Sequence, residues 1–181
     1  MLKVLDSLEV ELEQMRLPGS ERLTIAASPT PGTYLLPAAL CNYASQFPQN
    51  KFTLTISKSE TVIESVLDGT TNLGILEGPL CVFQDRIKAE KLDILLLGTE
   101  EIVFIRSCHH NLNSSISNLA ELCTLPLILP VPLSGIRTTL EFELNRYNYP
   151  LSKMNVLMEL DNSNAIINAV CANKGIGLVP R

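Results

Sequence analysis

The chain has 181 residues, of which 46% are hydrophobic and 18% charged, and its formal net charge at pH 7 is −5. This length is enough to bury a core, either as one domain or as two small lobes. No window approaches the eighteen apolar residues that a membrane span needs. Lysine and arginine are scattered among acidic residues, so the basic stripe that nucleic-acid binding needs is missing. We therefore expect no membrane partner and no DNA binding by this chain alone.

The cysteines indicate a reducing environment. They are five in number, an odd count, and they form no Cys-x-x-Cys pair. Such a pattern fits the cytoplasm better than a disulfide framework, and the acidic start of the chain is unlike a secretory signal. Cys41 and Cys171 fall in predicted helices, where we expect them to be buried as small apolar side chains.

The start of the chain predicts a helix over residues 1–17, ended by Pro18-Gly19. Its apolar residues recur at steps of four and three, which is the spacing of a coiled-coil seam over two heptads. Two interpretations stay open, a helix packed on its own domain or a seam between two subunits. The apolar residues are Met1, Leu5, Leu8, Leu12 and Met15.

The next segment alternates between strand and helix patterns. Ser57-x-x-Glu60 is a capping-box pattern, and the helix that it opens ends at Asp68-Gly69, where glycine suits the left-handed position. Strands separated by helices predict a right-handed parallel unit. In chain order the elements are a strand at 22–27, a helix at 33–46, a strand at 52–57, a helix up to 68 and a strand at 73–77. The helix at 33–46 is apolar over much of its circumference, which indicates a second partner such as another subunit.

The second half repeats this α/β pattern. We expect two Rossmann-like lobes, lobe I at about 20–98 and lobe II at about 100–178. Leu140 and Leu144 are expected to face the core. The predicted strands are 92–97, 101–105, 125–129, 154–160 and 176–179, and the predicted helices are 118–122, 135–147 and one capped by 161–163.

Three turns of similar composition each follow a strand and precede a helix. They are 28–32 (Ser-Pro-Thr-Pro-Gly), 57–59 (Ser-Lys-Ser) and 133–136 (Leu-Ser-Gly-Ile). Open α/β sheets bind ligands at the carboxyl ends of their strands, and helix N-termini favour anions because their N–H groups lack partners. The turns therefore predict an anion site, although each one could be an ordinary helix cap.

Other chemistry has little support in the sequence. Cys108-His109-His110 holds both histidines, but no ligand spacing completes a metal site, and we expect a solvent-exposed turn after a strand instead. Nucleophile elbows, phosphate loops and dinucleotide fingerprints are missing. We expect no catalytic residue, no metal and no cofactor.

The order of several motifs resembles the effector-binding domain of LysR-type bacterial transcription regulators, which are built like type 2 periplasmic binding proteins. The resemblance covers nearly the whole chain after residue 20. The motifs are the runs 23–37 and 67–79, the turn 108–112 with its histidine at 110, the stretch 118–129, the Ser-Gly-Ile-Arg run 134–137, and Gly-Ile-Gly-Leu-Val-Pro at 175–180, which has one residue fewer before the proline than the family pattern.

The resemblance implies a regulatory domain, residues 20–181, that binds a small anionic effector between two lobes. It implies a homodimer or tetramer in which the helix at 33–46 lies at the interface and residues 1–17 end a linker helix. It also implies that the DNA-binding domain and the C-terminal end of lobe I lie outside the chain. The alternative is a transport-type solute-binding protein of the same fold. With the turns above, the predicted effector-binding residues are Ser28, Thr30, Pro31, Gly32, Ser59, Thr99, Ser134, Gly135 and Ile136.

Overall fold

The computed structural model describes residues 22–79, 83, 85, 92–109, 116 and 118–181. The chain divides into two compact units, of which the first ends at Thr99 and the second begins at Glu100. The predicted helix at 1–17 lies outside the described residues and stays a prediction. Within the described ranges, no helix is both long enough and apolar enough to cross a membrane.

The first unit contains a three-stranded parallel sheet. Its strands are β1 (Arg22–Ala27), β2 (Lys51–Ile56) and β3 (Leu73–Ile75), in the order β2-β1-β3. The central strand β1 comes first of the three in the chain. One helical connection joins it to β2, and a second runs from β2 to β3 on the other side of β1. The predicted parallel unit is confirmed.

A helical segment follows β1 and begins earlier than predicted. A π-helical turn, Pro31–Leu35, leads directly into α1, Leu36–Gln46. The turn packs closely on the sheet, since a Cβ on Gly32 would lie 2.8 Å from the Ile56 Cγ1 atom. Any larger residue at position 32 must push that side chain away, so glycine allows this close approach.

Helix α2, Ser59–Leu67, has Lys58 as its N-cap residue and no side-chain hydrogen bond at the cap. The predicted capping box at Ser57 is wrong. The Ser57 N–H donates to the carbonyl oxygen of Ala27 at 2.9 Å, so Ser57 still belongs to the strand ladder and the helix begins one residue later. The predicted end is confirmed, because Gly69 has a φ of 74° directly after Asp68.

The core of the first unit lies between α1 and the sheet. Tyr43 is its largest member and packs at 4.6 Å on the Phe47 ring and edge-on at 5.6 Å against Phe52, measured between ring centroids. The expectation that Cys41 is buried is wrong, because it lies on the exposed side of α1. The buried cluster consists of Ile25, Ala27, Leu36, Ala39, Tyr43 and Ile75.

The second unit contains a four-stranded sheet in the order β4-β7-β5-β6. Its strands are β4 (Ile102–Ile105), β5 (Leu127–Pro130), β6 (Val156–Leu160) and β7 (Ile176–Pro180). Strands β5, β6 and β7 are parallel, and β4 pairs antiparallel with β7. The helices are α3 (Leu119–Thr124), α4 (Gly135–Arg146) and α5 (Ser163–Cys171), with a 3-10 turn at Leu151–Lys153.

Helices cover both faces of this sheet, as a buried parallel sheet requires. The alternation of β5 shows the two faces: Leu127 and Leu129 join one buried cluster, whereas Ile128 joins the other. The first cluster includes Leu140 and Leu144 of α4, as predicted. The second includes residues of α5. Cys171 ends α5 in an exposed position, so its expected burial is also wrong.

The predicted strand at 92–97 is absent from the described structure. Residues 92–101 adopt no regular conformation, and Ile94, Leu95 and Leu96 are largely exposed. An apolar run forms a strand only when a neighbouring strand accepts its hydrogen bonds. Neither sheet in the described ranges pairs with this segment.

Candidate functional site

The carboxyl ends of the first sheet's three strands lie side by side. In the register of the parallel pairs, Ala27 at the end of β1 is opposite Ile56 on one side and Ile75 on the other. Residues 28–32, 57–59 and 76–77 therefore leave the sheet at one edge. Two of the three predicted turns come together here.

Ser28 links the strand ends at this edge through three hydrogen bonds. It is fully buried, its Oγ accepts a hydrogen bond from the Glu77 N–H at 3.0 Å, and its N–H donates to the Ile75 carbonyl at 2.9 Å. Its carbonyl accepts from the Gly32 N–H at 3.0 Å. Ser28 thus joins the ends of β1 and β3 to the helical turn, and its hydroxyl is engaged within the protein. Pro31 and Gly32 are buried in the same turn.

Thr30 and Ser59 differ from Ser28. Their exposed fractions are only 5% and 6%, yet in the described part of the chain neither hydroxyl makes a hydrogen bond. Neither hydroxyl oxygen is among the fully buried side-chain atoms that lack a partner in the described residues, so both keep access to the surface. An accessible hydroxyl without a partner can donate a hydrogen bond to a ligand or accept one from it.

The start of α2 adds further donors to the same edge. Ser59 is its first residue, and the cap residue Lys58 makes no side-chain hydrogen bond to the first turn. The N–H groups of a helix's first turn have no partners inside the helix, and they carry the positive end of its dipole. This edge therefore presents hydroxyl and amide donors that suit an anionic group.

The carboxyl edge of the second sheet holds the third predicted turn. The Ser134 Oγ accepts from the Arg137 N–H at 3.2 Å and caps α4. The neighbouring Asn162 caps α5 in the same way, with its Oδ1 accepting from the Ala165 N–H at 2.8 Å. Both helices therefore begin with a side-chain cap. The Ser134 hydroxyl acts as an ordinary helix cap, which is the alternative that the sequence left open for these turns.

Gly135 and Ile136 are both buried, and the Ile136 side chain belongs to the apolar core cluster. Only backbone groups of these two residues are thus suited to a polar ligand. Leu133, just before them, has a φ of 67° and a side chain that is 74% exposed. A positive φ is uncommon for a residue with a side chain and stores strain in the turn.

The sequence motifs include Arg137 only as the last residue of the Ser-Gly-Ile-Arg run and predict no role of its own. In the structure it makes three polar contacts with separate elements. Its guanidinium is buried, with NH1 donating to the Pro130 carbonyl at 3.0 Å and Nε donating to Glu141 at 2.8 Å. NH2 lies 3.1 Å from a Glu159 carboxylate oxygen. One side chain thus joins the end of β5 to α4 and β6. The available signal was an arginine in the first turn of a helix, four residues before Glu141.

The histidine turn follows β4, whose last residue pairs with Gly177 near the start of β7, so the turn lies at the opposite edge of the second sheet from Ser134. Thr99 is exposed and ends the first unit. His109 is exposed in the turn after β4, where its N–H donates to the Ser107 Oγ at 3.2 Å, and position 110 lies outside the described residues. In the part of the chain that is described, no three His, Cys, Asp or Glu side chains are grouped to hold a metal.

The family model described as "LysR substrate binding domain" matches residues 18–181. The uncharacterized HTH-type transcriptional regulator YeiE of Escherichia coli K12 is 32% identical over 172 residues, which are 95% of this chain and 55% of that protein. The chain therefore spans about half the length of this curated relative.

Two solved structures show the same fold. The effector-binding domain of QuiR in complex with shikimate matches with a TM-score of 0.72 and 16% identity, over 90% of this chain and 75% of that one. The Synechocystis PCC6803 CcmR regulatory domain in complex with 2-PG matches with a TM-score of 0.67 and 20% identity, over 88% of this chain and 72% of that one. These similarities confirm the α/β fold expected from the motifs.

Proposed function

The chain belongs to the LysR substrate-binding domain family, and we propose that it senses a small anionic effector at the carboxyl edge of its first sheet. The observation that carries this proposal is the pair of hydroxyls of the largely buried residues Thr30 and Ser59, which have no hydrogen-bond partner in the described residues and keep access to the surface. They lie at neighbouring strand ends, beside the uncapped start of α2. Hydroxyl and amide donors together suit carboxylate, sulfate or phosphate oxygens.

The solved relatives support an acidic ligand. Shikimate is a carboxylate, and it is bound by a domain with the same fold. Ser28 holds the edge together in this proposal, and Pro31 and Gly32 shape the turn that carries Thr30. The contributions expected from Thr99, Ser134, Gly135 and Ile136 stay predictions, with backbone N–H groups as the natural donors of the last two.

Calorimetric titration tests the site directly. Wild-type chain is titrated with a panel of carboxylates and with sulfate, and the measurement is repeated on Thr30→Val and Ser59→Ala. A hydrogen bond to a charged group contributes about 1.5–3 kcal/mol, so we expect each variant to weaken binding by about tenfold or more.

Matched controls separate binding from general damage. Thr33→Val changes an exposed threonine in the same helical turn, and Ser65→Ala removes a hydroxyl of α2 that already donates to the Val62 carbonyl. Both controls should keep wild-type affinity. Equal affinity of Thr30→Val, Ser59→Ala and wild type would remove these hydroxyls from the site.

We further propose a non-catalytic regulator that pairs with a second copy through α1. The outer side of this helix exposes Pro37, Ala38 and Cys41, and the preceding π-helical turn exposes Tyr34. Their spacing of three and four residues places them on one face, where they form an apolar surface. Sedimentation should show a concentration-dependent dimer that Ala38→Glu dissociates, whereas Ser45→Glu at the far end of the helix should have a smaller effect. A transport-type solute-binding protein predicts a monomer at all concentrations.

Control of transcription belongs to the whole protein. The relative in Escherichia coli is named as an HTH-type regulator, and this chain spans 55% of its length. We propose a cytoplasmic regulator that contacts DNA through residues outside this chain. The net charge of the chain, −5 at pH 7, supports the assignment of DNA binding to residues outside this chain, because DNA binding needs basic residues.

A further inference from the structure

We propose that Lys58 sets the charge preference of this site, so that it selects effectors presenting a doubly negative group over singly charged ones. The inference rests on the proposed function, because it assigns a role to a residue beside Thr30 and Ser59. The ligand class is then a phosphate, sulfate or dicarboxylate rather than a simple monocarboxylate.

Lys58 occupies a position where lysine is disfavoured for stability. It is the N-cap residue of α2, with φ −64° and ψ 151° and no side-chain hydrogen bond at the cap. Ser, Thr, Asp and Asn are preferred there because their short side chains accept from the first turn. A cation at this end also opposes the helix dipole. Two local rules are thus broken at one residue, which is typical of functional positions.

The Lys58 ammonium also differs from the other cations near the two sheet edges. Arg137 is held by Glu141 and Glu159, and Arg181 is paired with Glu101 at 2.7 Å. Lys58 is exposed, and within the described ranges it makes no ion pair or hydrogen bond. Its charge is therefore available to a ligand.

The neighbouring hydroxyls supply the second, independent observation. Ser59 follows Lys58 directly, and Thr30 lies at the adjacent strand end; both are more than nine-tenths buried and lack a partner in the described residues. Hydroxyl and amide donors recognise the oxygens of an anion whatever its total charge. A lysine beside them favours the more highly charged ligand, because the attraction grows with the product of the charges.

The experiment compares sulfate with acetate on the 181-residue chain, at constant ionic strength. Wild type should bind sulfate more tightly than acetate. Lys58→Gln should weaken sulfate binding by about tenfold, the effect of losing one charge-assisted contact, and should weaken acetate binding much less. Lys58→Arg should retain the preference for sulfate. The control is Lys51→Gln, an exposed lysine at the amino end of β2, which should change neither affinity.

A stability measurement separates binding from folding. Lys58→Asn introduces a preferred cap, so it should raise the melting temperature by about 2–4 °C while it weakens sulfate binding. A variant that is more stable but binds less tightly is not explained by damage to the fold.

The outcomes separate the two proposals. Binding that depends on Thr30 and Ser59, with the same sulfate-to-acetate ratio in wild type and Lys58→Gln, overturns the role of Lys58 and leaves the proposed site intact. Sulfate binding that is lost in Lys58→Gln and kept in Lys51→Gln supports it. Absence of binding of either anion by wild type overturns both.

Discussion

At the carboxyl edge of the first sheet, α2 begins at Ser59 without a side-chain cap. The hydroxyls of the largely buried residues Thr30 and Ser59 have no partner among the described residues there. At the corresponding edge of the second sheet, Ser134 and Asn162 cap α4 and α5. There the buried Arg137 is held by three neighbours.

This difference teaches how to distinguish a binding edge from a scaffold. Polar groups that find partners inside the protein stabilise it. Hydroxyls that make no bond within the described residues and stay accessible from the surface are available to a ligand. In the described structure the first edge has polar groups available to a ligand, as a binding site does. The polar groups described above for the second edge are bonded within the protein, and this edge serves as a structural frame.

The largest expected effect is on the frame. Arg137→Met removes the hydrogen bond to Pro130 and both ion pairs, so we expect a loss of about 2 kcal/mol in the free energy of unfolding, measured by urea denaturation. Arg146→Met on the same helix removes an exposed pair with Glu143 and should cost less than about 0.5 kcal/mol. Equal losses in the two variants would show that Arg137 does not hold the frame.

The next effect concerns the helix caps of the second sheet. Ser134→Ala should lower the free energy of unfolding by about 1 kcal/mol, because the Arg137 N–H loses its side-chain acceptor. Ser134→Asn, which restores an acceptor, should recover most of the loss. If Ser134→Ala leaves the free energy of unfolding unchanged, the Ser134 hydroxyl does not stabilise α4 and is available for another role.

No loss of stability is expected at the first edge. Ser59→Ala and Thr30→Val each remove a hydroxyl that has no hydrogen-bond partner in the described residues and keeps access to the surface, so we expect the free energy of unfolding of the ligand-free chain to change by less than about 0.5 kcal/mol. Thermal unfolding in buffer without carboxylate, sulfate or phosphate measures this. A loss of stability in both variants would show that the hydroxyls are bonded in the free protein and would remove the contrast between the edges.

The smallest effect tests the far end of α2, where polar groups are satisfied. The hydroxyl and N–H of Thr70 donate to the Asp68 carboxylate and lower the pKa of Asp68. The stabilisation is present above the unfolded pKa and is lost as the pH falls through the lowered folded pKa. Unfolding between pH 5 and pH 2 should therefore depend slightly less on pH in Asp68→Asn, with Glu64→Gln as a control on the same helix.

Much of the fold could be predicted because it depends on local patterns. The alternation of strand and helix patterns predicted β1 and β2, and Gly69 predicted the end of α2. The strand predicted at 92–97 failed because strand formation depends on a partner that a local pattern does not contain. Cys41 and Cys171 were misplaced for a similar reason: helix membership does not decide which side of the helix faces the core.

The candidate site was predicted only in part. Three turns of similar composition pointed to one kind of chemistry, but the sequence did not show that Ser28 and Ser134 use their hydroxyls internally. The sequence did not identify Lys58 as the N-cap residue, because the capping-box pattern placed the N-cap at Ser57. The ladder hydrogen bond from Ser57 to Ala27 shifted the cap by one residue.

The sequence by itself indicated the family, through the resemblance of its motifs to those of a known family. It also determined the alternation of strands and helices and the residue types available at each strand end, since these follow from composition and spacing along the chain. Tertiary structure decided which hydroxyls are bonded and which are left for a ligand. Hydrogen bonding of a buried group depends on the atoms that other segments bring within about 3 Å of it, and no local pattern records those atoms.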